Sequence, residues 1–352
     1  MHRTPDGSAR KHMRPAIRRG TLLTSGPPSI RVCRPTPSNT PPEHEQRPPM
    51  CRSRKQTMKK LRISLMFSAL VAAHGAHATE GGGSLYPTGA EGYLCCALPP
   101  PGRYALIYAE RYHAGELRDN DGRNVAPPDF SLTAYAVTPR IVWVTPYTFA
   151  GASLAMHALL PLVTLDVHAG GQSQRRTGIG DMTFGPALGW HVTPTLHTLL
   201  AVDVFAPTGR YDRNDLANIG RHYWAIQPIA GLSYGGRTGP VFDAKVMWTI
   251  NRRNPATDYR SGQEFIVDYS AGWGFGNGLT VGAGGYFYRQ MTDDAQAGQT
   301  IAGNRGRSFA IGPSIKYDSG KGWFVTAKYQ METAVGNRPE GAAFWLKAVF
   351  PL

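Results

Sequence analysis

Hydrophobic and polar side chains alternate along short segments between residues 102 and 352, and polar, turn-rich stretches separate these segments. Successive side chains of a β-strand point to opposite faces, so the alternation indicates strands whose two faces meet different surroundings. In the segment 239–251, Phe242 and Val246 belong to the apolar row, whereas Asp243 and Lys245 belong to the polar row. The pattern predicts twelve strands, near 102–113, 131–143, 149–168, 178–191, 196–207, 221–234, 239–251, 262–275, 279–290, 305–317, 322–334 and 341–352.

The predicted connections alternate between long and short. The long ones are polar and lie at 114–130, 169–177, 208–220, 252–261, 291–304 and 334–340. The short ones lie at 144–146, 193–195, 235–239, 276–278 and 318–321. Outer-membrane barrels have short periplasmic turns, longer external loops and an even number of strands. We therefore predict an all-β fold, an antiparallel transmembrane β-barrel of about 12 strands.

Alternation alone also fits a secreted β-sandwich, whose apolar rows face a dry core instead of lipid. Two features favour the barrel. The final strand alternates almost to the chain end and carries Phe350 there, a common ending of outer-membrane barrels, although Pro351 and Leu352 follow it. Aromatic residues also recur near strand ends, as in the girdles at the two membrane interfaces. These residues are Trp143, Trp190, Trp224, Trp248, Trp273, Tyr317 and Trp323.

The N-terminal part of the chain differs from the rest. Residues 1–57 hold 12 Lys and Arg against 3 Asp and Glu, are rich in proline and show little apolar periodicity, which predicts disorder. Residues 58–78 have the basic start, apolar centre and small-residue end of a secretory signal peptide, with cleavage after Ala78. We infer that Met58 is the true start, that 1–57 come from an over-long gene prediction, and that the protein goes to the bacterial outer membrane.

The charge of the whole chain, +14, belongs mostly to this N-terminal part. From Thr79 onward there are 23 basic and 21 acidic residues. No basic face or nucleic-acid-binding motif remains, so we expect no nucleic-acid partner. The glycine- and proline-rich stretch 79–101 is predicted to be a periplasmic lead or a plug, and 102–352 to be the barrel.

The polar rows nominate a set of lumen-lining side chains. They either select the solute or fill the lumen as paired charges, with Asp243 and Lys245 as an example of such neighbours. Asp181 follows two glycines, so it is either a gate residue or part of a turn. The full set is Glu110, Arg140, Asp181, Asp203, Asp243, Lys245, Glu264, Asp268, Lys316, Lys328, Glu332 and Lys347.

Catalytic and cofactor chemistry is not indicated. The sequence lacks a Gly-x-Ser-x-Gly elbow, its histidines are scattered, and Cys95 and Cys96 alone are too few for a metal site. The two adjacent cysteines could form a strained disulfide, pair between chains or stay free. We predict no enzyme activity, no cofactor and no metal.

Several short motifs resemble a known family. They are LPPPGRY at 98–104, GIGDM at 178–182 and APTGRYD at 206–212, followed by Trp224 and Pro228. Their order and spacing resemble the outer-membrane proteins named for the meta-pathway of phenol degradation, over about residues 80–352. The resemblance implies a transporter-like barrel linked to uptake of aromatic or other hydrophobic compounds. It supplies no agreed binding residues.

We therefore expect an outer-membrane channel for passive uptake of small hydrophobic or aromatic compounds. The alternatives are a non-conducting structural or adhesive barrel and an outer-membrane lipid-modifying enzyme. The expected partners are outer-membrane lipid, the solute and the barrel-assembly machinery, which would bind the C-terminal strand. We expect a monomer.

Overall fold

The structure, a computed structural model, describes residues 78–352. The predictions for residues 1–57 and for most of the signal peptide lie outside the described residues. Within the described range, no helix has the length and apolar character needed to cross a membrane.

Strands make up nearly all of the regular structure. A single turn of 3-10 helix, Glu80–Gly82, precedes them. The strands are β1 (Gly102–Arg118), β2 (Ser131–Phe149), β3 (Ala152–Leu159), β4 (Leu162–Ala169), β5 (Gln172–Ile179), β6 (Met182–Thr193), β7 (Leu196–Ala206), β8 (Ala225–Tyr234), β9 (Thr238–Asn251), β10 (Tyr259–Arg260), β11 (Glu264–Phe275), β12 (Leu279–Gln290), β13 (Asp294–Gln296), β14 (Gln299–Ile301), β15 (Arg307–Asp318), β16 (Phe324–Gly336) and β17 (Arg338–Pro351).

These strands close into one antiparallel barrel. Each wall strand pairs with its neighbours in chain order, and β1 pairs with both β2 and β17, which closes the ring. β3 and β4 are two halves of one wall strand, as are β5 and β6. β10, β13 and β14 form a separate small sheet within the loops. The wall therefore has twelve strands, which confirms the predicted fold.

The wall is interrupted where the two divided strands meet. Pro161 separates β3 from β4 and has no N–H to donate to the ladder. The Gly180 N–H between β5 and β6 donates to the Pro161 carbonyl at 2.8 Å. Beyond this point β5 pairs only with β4, because β7 ends at Ala206. The loop 207–224 continues from there and replaces a strand partner.

The outer face of the barrel is apolar and the inner face is largely polar. In β9, Phe242, Val246 and Ile250 are exposed, whereas Asp243 and Lys245 are buried. A soluble protein has the opposite arrangement, because its apolar side chains are the ones removed from water. The sequence predicted that the apolar rows face lipid and the polar rows face the interior, and the observed burial agrees with this.

The exposed tryptophans lie near both ends of the wall. Trp273 and Trp323 stand close to short turns, Trp143 pairs with Arg103 at the start of β1, and Trp224 stands at the start of β8 beside a long loop. Such bands suit the two interfaces of a membrane, where an amphipathic ring meets both hydrocarbon and water.

Most predicted connections are close to the observed ones, but three are wrong. The turn expected at 144–146 lies inside β2, and the chain reverses at 150–151 instead. The long loop expected at 169–177 is the two-residue turn Gly170–Gly171, whose φ angles of 59° and 77° suit the type I′ hairpin turn. The long loop expected at 334–340 is a turn at Asn337 alone.

Strand length is the reason for the error at 334–340 and, in the same way, for the one at 169–177. β16 and β17 have 13 and 14 residues, more than the roughly 9–11 that a tilted strand needs to cross the bilayer. The excess residues stand outside the hydrocarbon and are free to be polar while remaining paired, so their composition predicts a loop. We call the end with the longer connections, 119–130, 207–224, 252–263 and 291–306, the loop end, and the opposite end the short-turn end.

A charge on the outer face tests the orientation of the rows. Val246 lies near the middle of β9 and points outward. We expect V246K to lower the free energy of unfolding in lipid vesicles by about 2–4 kcal/mol, because an ammonium at the membrane midplane loses its hydration. Equilibrium urea unfolding in vesicles measures this. T300K, in the exposed strand β14, is the control, and equal stabilities of the two variants would contradict the orientation.

Candidate functional site

The lumen of the barrel holds a segment of the chain itself. Residues 79–101, which we call the lumenal segment, begin at the loop end and finish at the short-turn end. At its start, Glu80 accepts a hydrogen bond from the Tyr211 hydroxyl at 2.9 Å, in the loop 207–224. Near its finish, the Cys96 N–H donates to Ser233 Oγ at 3.1 Å, close to the turn after β8. The segment therefore runs through the length of the barrel.

A buried carboxylate on the wall organises the middle of this segment. Asp268 of β11 accepts hydrogen bonds from the Gly89 N–H at 2.8 Å, the Tyr86 hydroxyl at 2.6 Å and the Glu91 N–H at 3.0 Å. The N–H groups of irregular buried backbone have no ladder, so they need other hydrogen-bond partners. Asp268 supplies two of these partners and so fixes the path of the chain across the lumen.

Glu91 is the counter-ion that the segment brings to the wall. Its carboxylate accepts from Arg140 Nη1 at 3.0 Å, from Lys347 Nζ at 3.1 Å and from the Tyr108 hydroxyl at 3.0 Å. The Lys328 ammonium donates to the Glu91 carbonyl. A buried charge is tolerated only when it is paired and hydrogen-bonded. The wall cations and Glu91 therefore depend on one another.

Glycines in the wall make room for the segment. A Cβ on Gly272 or on Gly282 would lie 2.6 Å from the Tyr93 hydroxyl oxygen, closer than a Cβ contact allows. The same hydroxyl hydrogen-bonds with Ser314 Oγ at 2.9 Å. The absence of a side chain at these two positions lets Tyr93 approach the wall directly.

The structure places the predicted lumen-lining residues as follows. Glu110, Arg140 and Glu332 are half-buried. The remaining nine are buried: Asp181, Asp203, Asp243, Lys245, Glu264, Asp268, Lys316, Lys328 and Lys347. Arg140 and Lys347 meet at Glu91, and Asp268 holds the segment backbone. Lys328 also meets the segment there, through the Glu91 carbonyl, and the remaining residues do not contact Glu91.

The proposed pairing of Asp243 with Lys245 is wrong. Asp243 accepts hydrogen bonds from Ser233 at 2.5 Å and from Ser270 at 3.4 Å. Lys245 makes no hydrogen bond or ion pair with any residue in 78–352, and its Nζ lies 5.0 Å from the centre of the Tyr86 ring. Residues two apart on one strand share a face, but their side chains are aimed by different neighbours.

Asp181 lies at the interruption of the wall. Its carboxylate accepts from the Gly209 N–H at 2.9 Å and from the Arg221 N–H at 2.7 Å. Both donors belong to the loop 207–224, so one side chain joins this loop to the break between β5 and β6.

Two cavities remain beside the lumenal segment. The outer one, about 990 Å³, opens at the loop end, and the inner one, about 180 Å³, lies deeper. Ala134 and Val163 line both. The inner cavity also contacts Tyr86, Phe205 and Trp345, together with the charged groups of Glu110, Arg140 and Lys245.

One part of the inner wall is apolar, which the sequence did not lead us to expect. Leu132 and Ala134 of β2 pair directly with Val167 and Leu165 of β4, and all four line the outer cavity. Since Ala134 and Val163 reach the inner cavity too, an apolar strip connects the loop end to the interior.

Sequence reasoning also missed Glu91. It is the only acidic residue between 81 and 101, in a stretch otherwise made of small, aromatic and apolar residues. The available signal was an isolated carboxylate upstream of the first strand, in a barrel with many inward-facing cations.

Nothing in the lumen forms a hydrolytic triad among the described residues. His157 Nε2 and Asp203 Oδ1 are 2.8 Å apart and buried, but His157 Nδ1 has no hydrogen-bond partner within residues 78–352. Cys95 and Cys96 are free thiols with sulfur atoms 2.8 Å apart. No group of three His, Cys, Asp or Glu side chains in this range is arranged to hold a metal ion.

Comparisons with known proteins agree with this architecture. The family described as "Putative MetA-pathway of phenol degradation" matches residues 114–348. The COG4313 outer membrane channel from Pseudomonas putida F1 is similar in structure, with a TM-score of 0.65 and 17% identity, covering 73% of this chain and 97% of that chain. This likeness shows the fold of an outer-membrane channel.

A second likeness is too distant to carry an argument. The β domain of the Bordetella autotransporter Brka has a TM-score of 0.40 and 13% identity, covering 71% of this chain and 99% of that chain. No protein with a curated function matches the sequence.

Removal of the Glu91 charge tests the hold on the lumenal segment. We expect E91Q to loosen the segment, because Arg140 and Lys347 lose their shared carboxylate, and breaking a buried ion pair costs about 3–5 kcal/mol. Single-channel recording in planar bilayers should then give larger or more frequent openings than in the wild type. D121N, in an exposed loop, is the control. Identical recordings from E91Q and D121N would refute this role.

Proposed function

The chain belongs to the family described as "Putative MetA-pathway of phenol degradation", and its fold is that of an outer-membrane β-barrel channel. From this we propose that it admits small hydrophobic or aromatic compounds by passive diffusion. The observation that carries the proposal is the apolar strip, which joins the outer cavity to the inner one and consists of Leu132, Ala134, Val163, Leu165 and Val167. Binding to such a surface lowers the free energy of an apolar solute, because it removes apolar area from water. A polar solute has no such area to remove.

The size of the inner cavity supports a small solute. At about 180 Å³ it resembles the apolar cavities of about 150 Å³ that bind benzene in other proteins. Tyr86, Phe205 and Trp345 provide aromatic surface there, and ring pairs of this kind contribute beyond the area that they bury. A compound with one aromatic ring fits these dimensions.

A second candidate is a non-conducting structural barrel. The observation that favours it is the lumenal segment, which Asp268 and Glu91 hold across the lumen through buried hydrogen bonds. Passage of a solute past this region requires that the segment move or that the solute remain beside it. Measured transport decides between the two candidates.

The test uses asymmetric vesicles with lipopolysaccharide in the outer leaflet, since apolar compounds cross ordinary phospholipid bilayers unaided. We expect the protein to increase the uptake of a radiolabelled single-ring hydrocarbon, because the apolar strip replaces the polar lipopolysaccharide barrier. Uptake equal to that of protein-free vesicles would favour the structural barrel.

A matched pair of variants locates the path. A134W adds a large side chain where the two cavities meet, so we expect it to reduce uptake strongly. V137W, on the exposed face of the same strand, adds the same ring outside the barrel and should leave uptake unchanged. If both variants transport equally well, the solute does not use the strip.

A further inference from the structure

The start of the lumenal segment is held by one buried carboxylate. The main-chain nitrogen of Thr79 lies 2.9 Å from Asp294 Oδ2. Asp294 belongs to β13, in the loop 291–306 outside the barrel wall, and is fully buried. Thr79 itself is buried as well. This contact fixes the first residue of the segment at the loop end.

Asp294 receives several hydrogen bonds from its neighbours. Neutral donors surround it, and no Lys, Arg or His in residues 78–352 forms an ion pair with it. Burial raises the pKa of the Asp294 carboxyl, because an ionised carboxylate loses its water there without a cation in exchange. Its other donors are Gly262 N at 2.7 Å, Tyr259 Oη at 2.5 Å, Gln290 Nε2 at 2.7 Å and Asn304 Nδ2 at 2.8 Å.

The sequence independently marks the same residue. Residues 58–78 form a predicted signal peptide with cleavage after Ala78, so Thr79 becomes the first residue of the processed chain. Hydrolysis of the Ala78–Thr79 amide consumes one water. The Ala78 carbonyl leaves as a carboxylate with the signal peptide, and the Thr79 nitrogen becomes an ammonium group.

We propose that Asp294 is the binding site for this α-ammonium group. The amide nitrogen that processing turns into the ammonium is already within hydrogen-bond distance of the carboxylate, so the charged group forms where its counter-ion lies. The ion pair gives Asp294 a cation, which residues 78–352 do not otherwise supply, and anchors the outer end of the lumenal segment.

The neighbouring contacts keep the group in place. Glu80, the other carboxylate at this point, accepts from the Thr257 hydroxyl at 2.6 Å and from Asn254 Nδ2 at 2.8 Å. Arg221 Nη1 donates to the Glu80 carbonyl at 2.8 Å. These hydrogen bonds hold the second residue of the processed chain and leave Asp294 to the first.

The experiment begins with the protein purified from the outer membrane of a secreting Gram-negative host. N-terminal sequencing should give Thr79 as the first residue. The pKa of the α-amine is then obtained from the pH dependence of its acylation, read by mass spectrometry of the N-terminal peptide. A free α-amine has a pKa of about 7.7–8.0. We expect the wild-type value to be higher by about 1–3 units, the shift that an adjacent opposite charge produces.

Two variants separate the ion pair from general effects of the loop. D294N should return the α-amine pKa to the free value and make the amine acylate faster at neutral pH. D293N is the control, since Asp293 is the adjacent residue and pairs with Arg305 instead. It should behave as the wild type does. If D294N fails to assemble, a chain with one alanine inserted before Thr79 keeps Asp294 but displaces the ammonium, and it should also lose the shift.

Three outcomes overturn the proposal. They are a first residue other than Thr79, an unshifted α-amine pKa in the wild type, and a D294N variant that retains the shift.

The ion pair also determines how the stability of the anchored end changes with pH. The pairing stabilises the anchored end below the pKa of a free α-amine, and this stabilisation is lost as the pH rises through the higher value in the folded protein. None of these measurements depends on which solute the barrel carries.

Discussion

Closure of the hydrogen-bond ladder is the constraint on which the rest of this structure depends. Hydrocarbon offers no partner to a backbone N–H or carbonyl, so a sheet in a membrane must have no free edge. The pairing of β1 with both β2 and β17 meets this requirement. Closure then divides the side chains into two populations. One row of each strand meets lipid, and the other meets a narrow interior that contains the remaining polar groups.

That interior has its own requirement, because charges removed from water need partners. The wall alone does not provide them all. Arg140 and Lys347 share a carboxylate that belongs to the lumenal segment, and the segment in turn depends on Asp268 for two of its backbone N–H groups. Wall and segment are thus parts of one polar core. The apolar strip on β2 and β4 lies beside this core and is the surface on which an apolar solute can be accommodated.

The sequence predicted the barrel well, because lipid forces a strict period of two on the strands that cross it. The strand predictions were wrong where the chain lies outside the bilayer. At Gly170 and Asn337 the strands continue outside the bilayer as hairpins, and polar composition no longer separates strand from loop. The interior was predicted less well. A period of two gives the face of Asp243 and Lys245, but their partners come from other strands and from the lumenal segment. Glu91, in a stretch without periodicity, gave no such signal.

The course of the lumenal segment determines the order in which the lumen can be cleared. Its far end continues without a break into Gly102 at the start of β1, so the ladder of the wall fixes that end permanently. Its near end is held by hydrogen bonds alone, such as those of Glu80 with the loops and that of Ser84 with Arg338 of β17. Release can therefore start only at the mouth formed by the long loops and proceed inward. A compound or partner arriving at that mouth can influence the passage, whereas one arriving at the opposite mouth meets the fixed end.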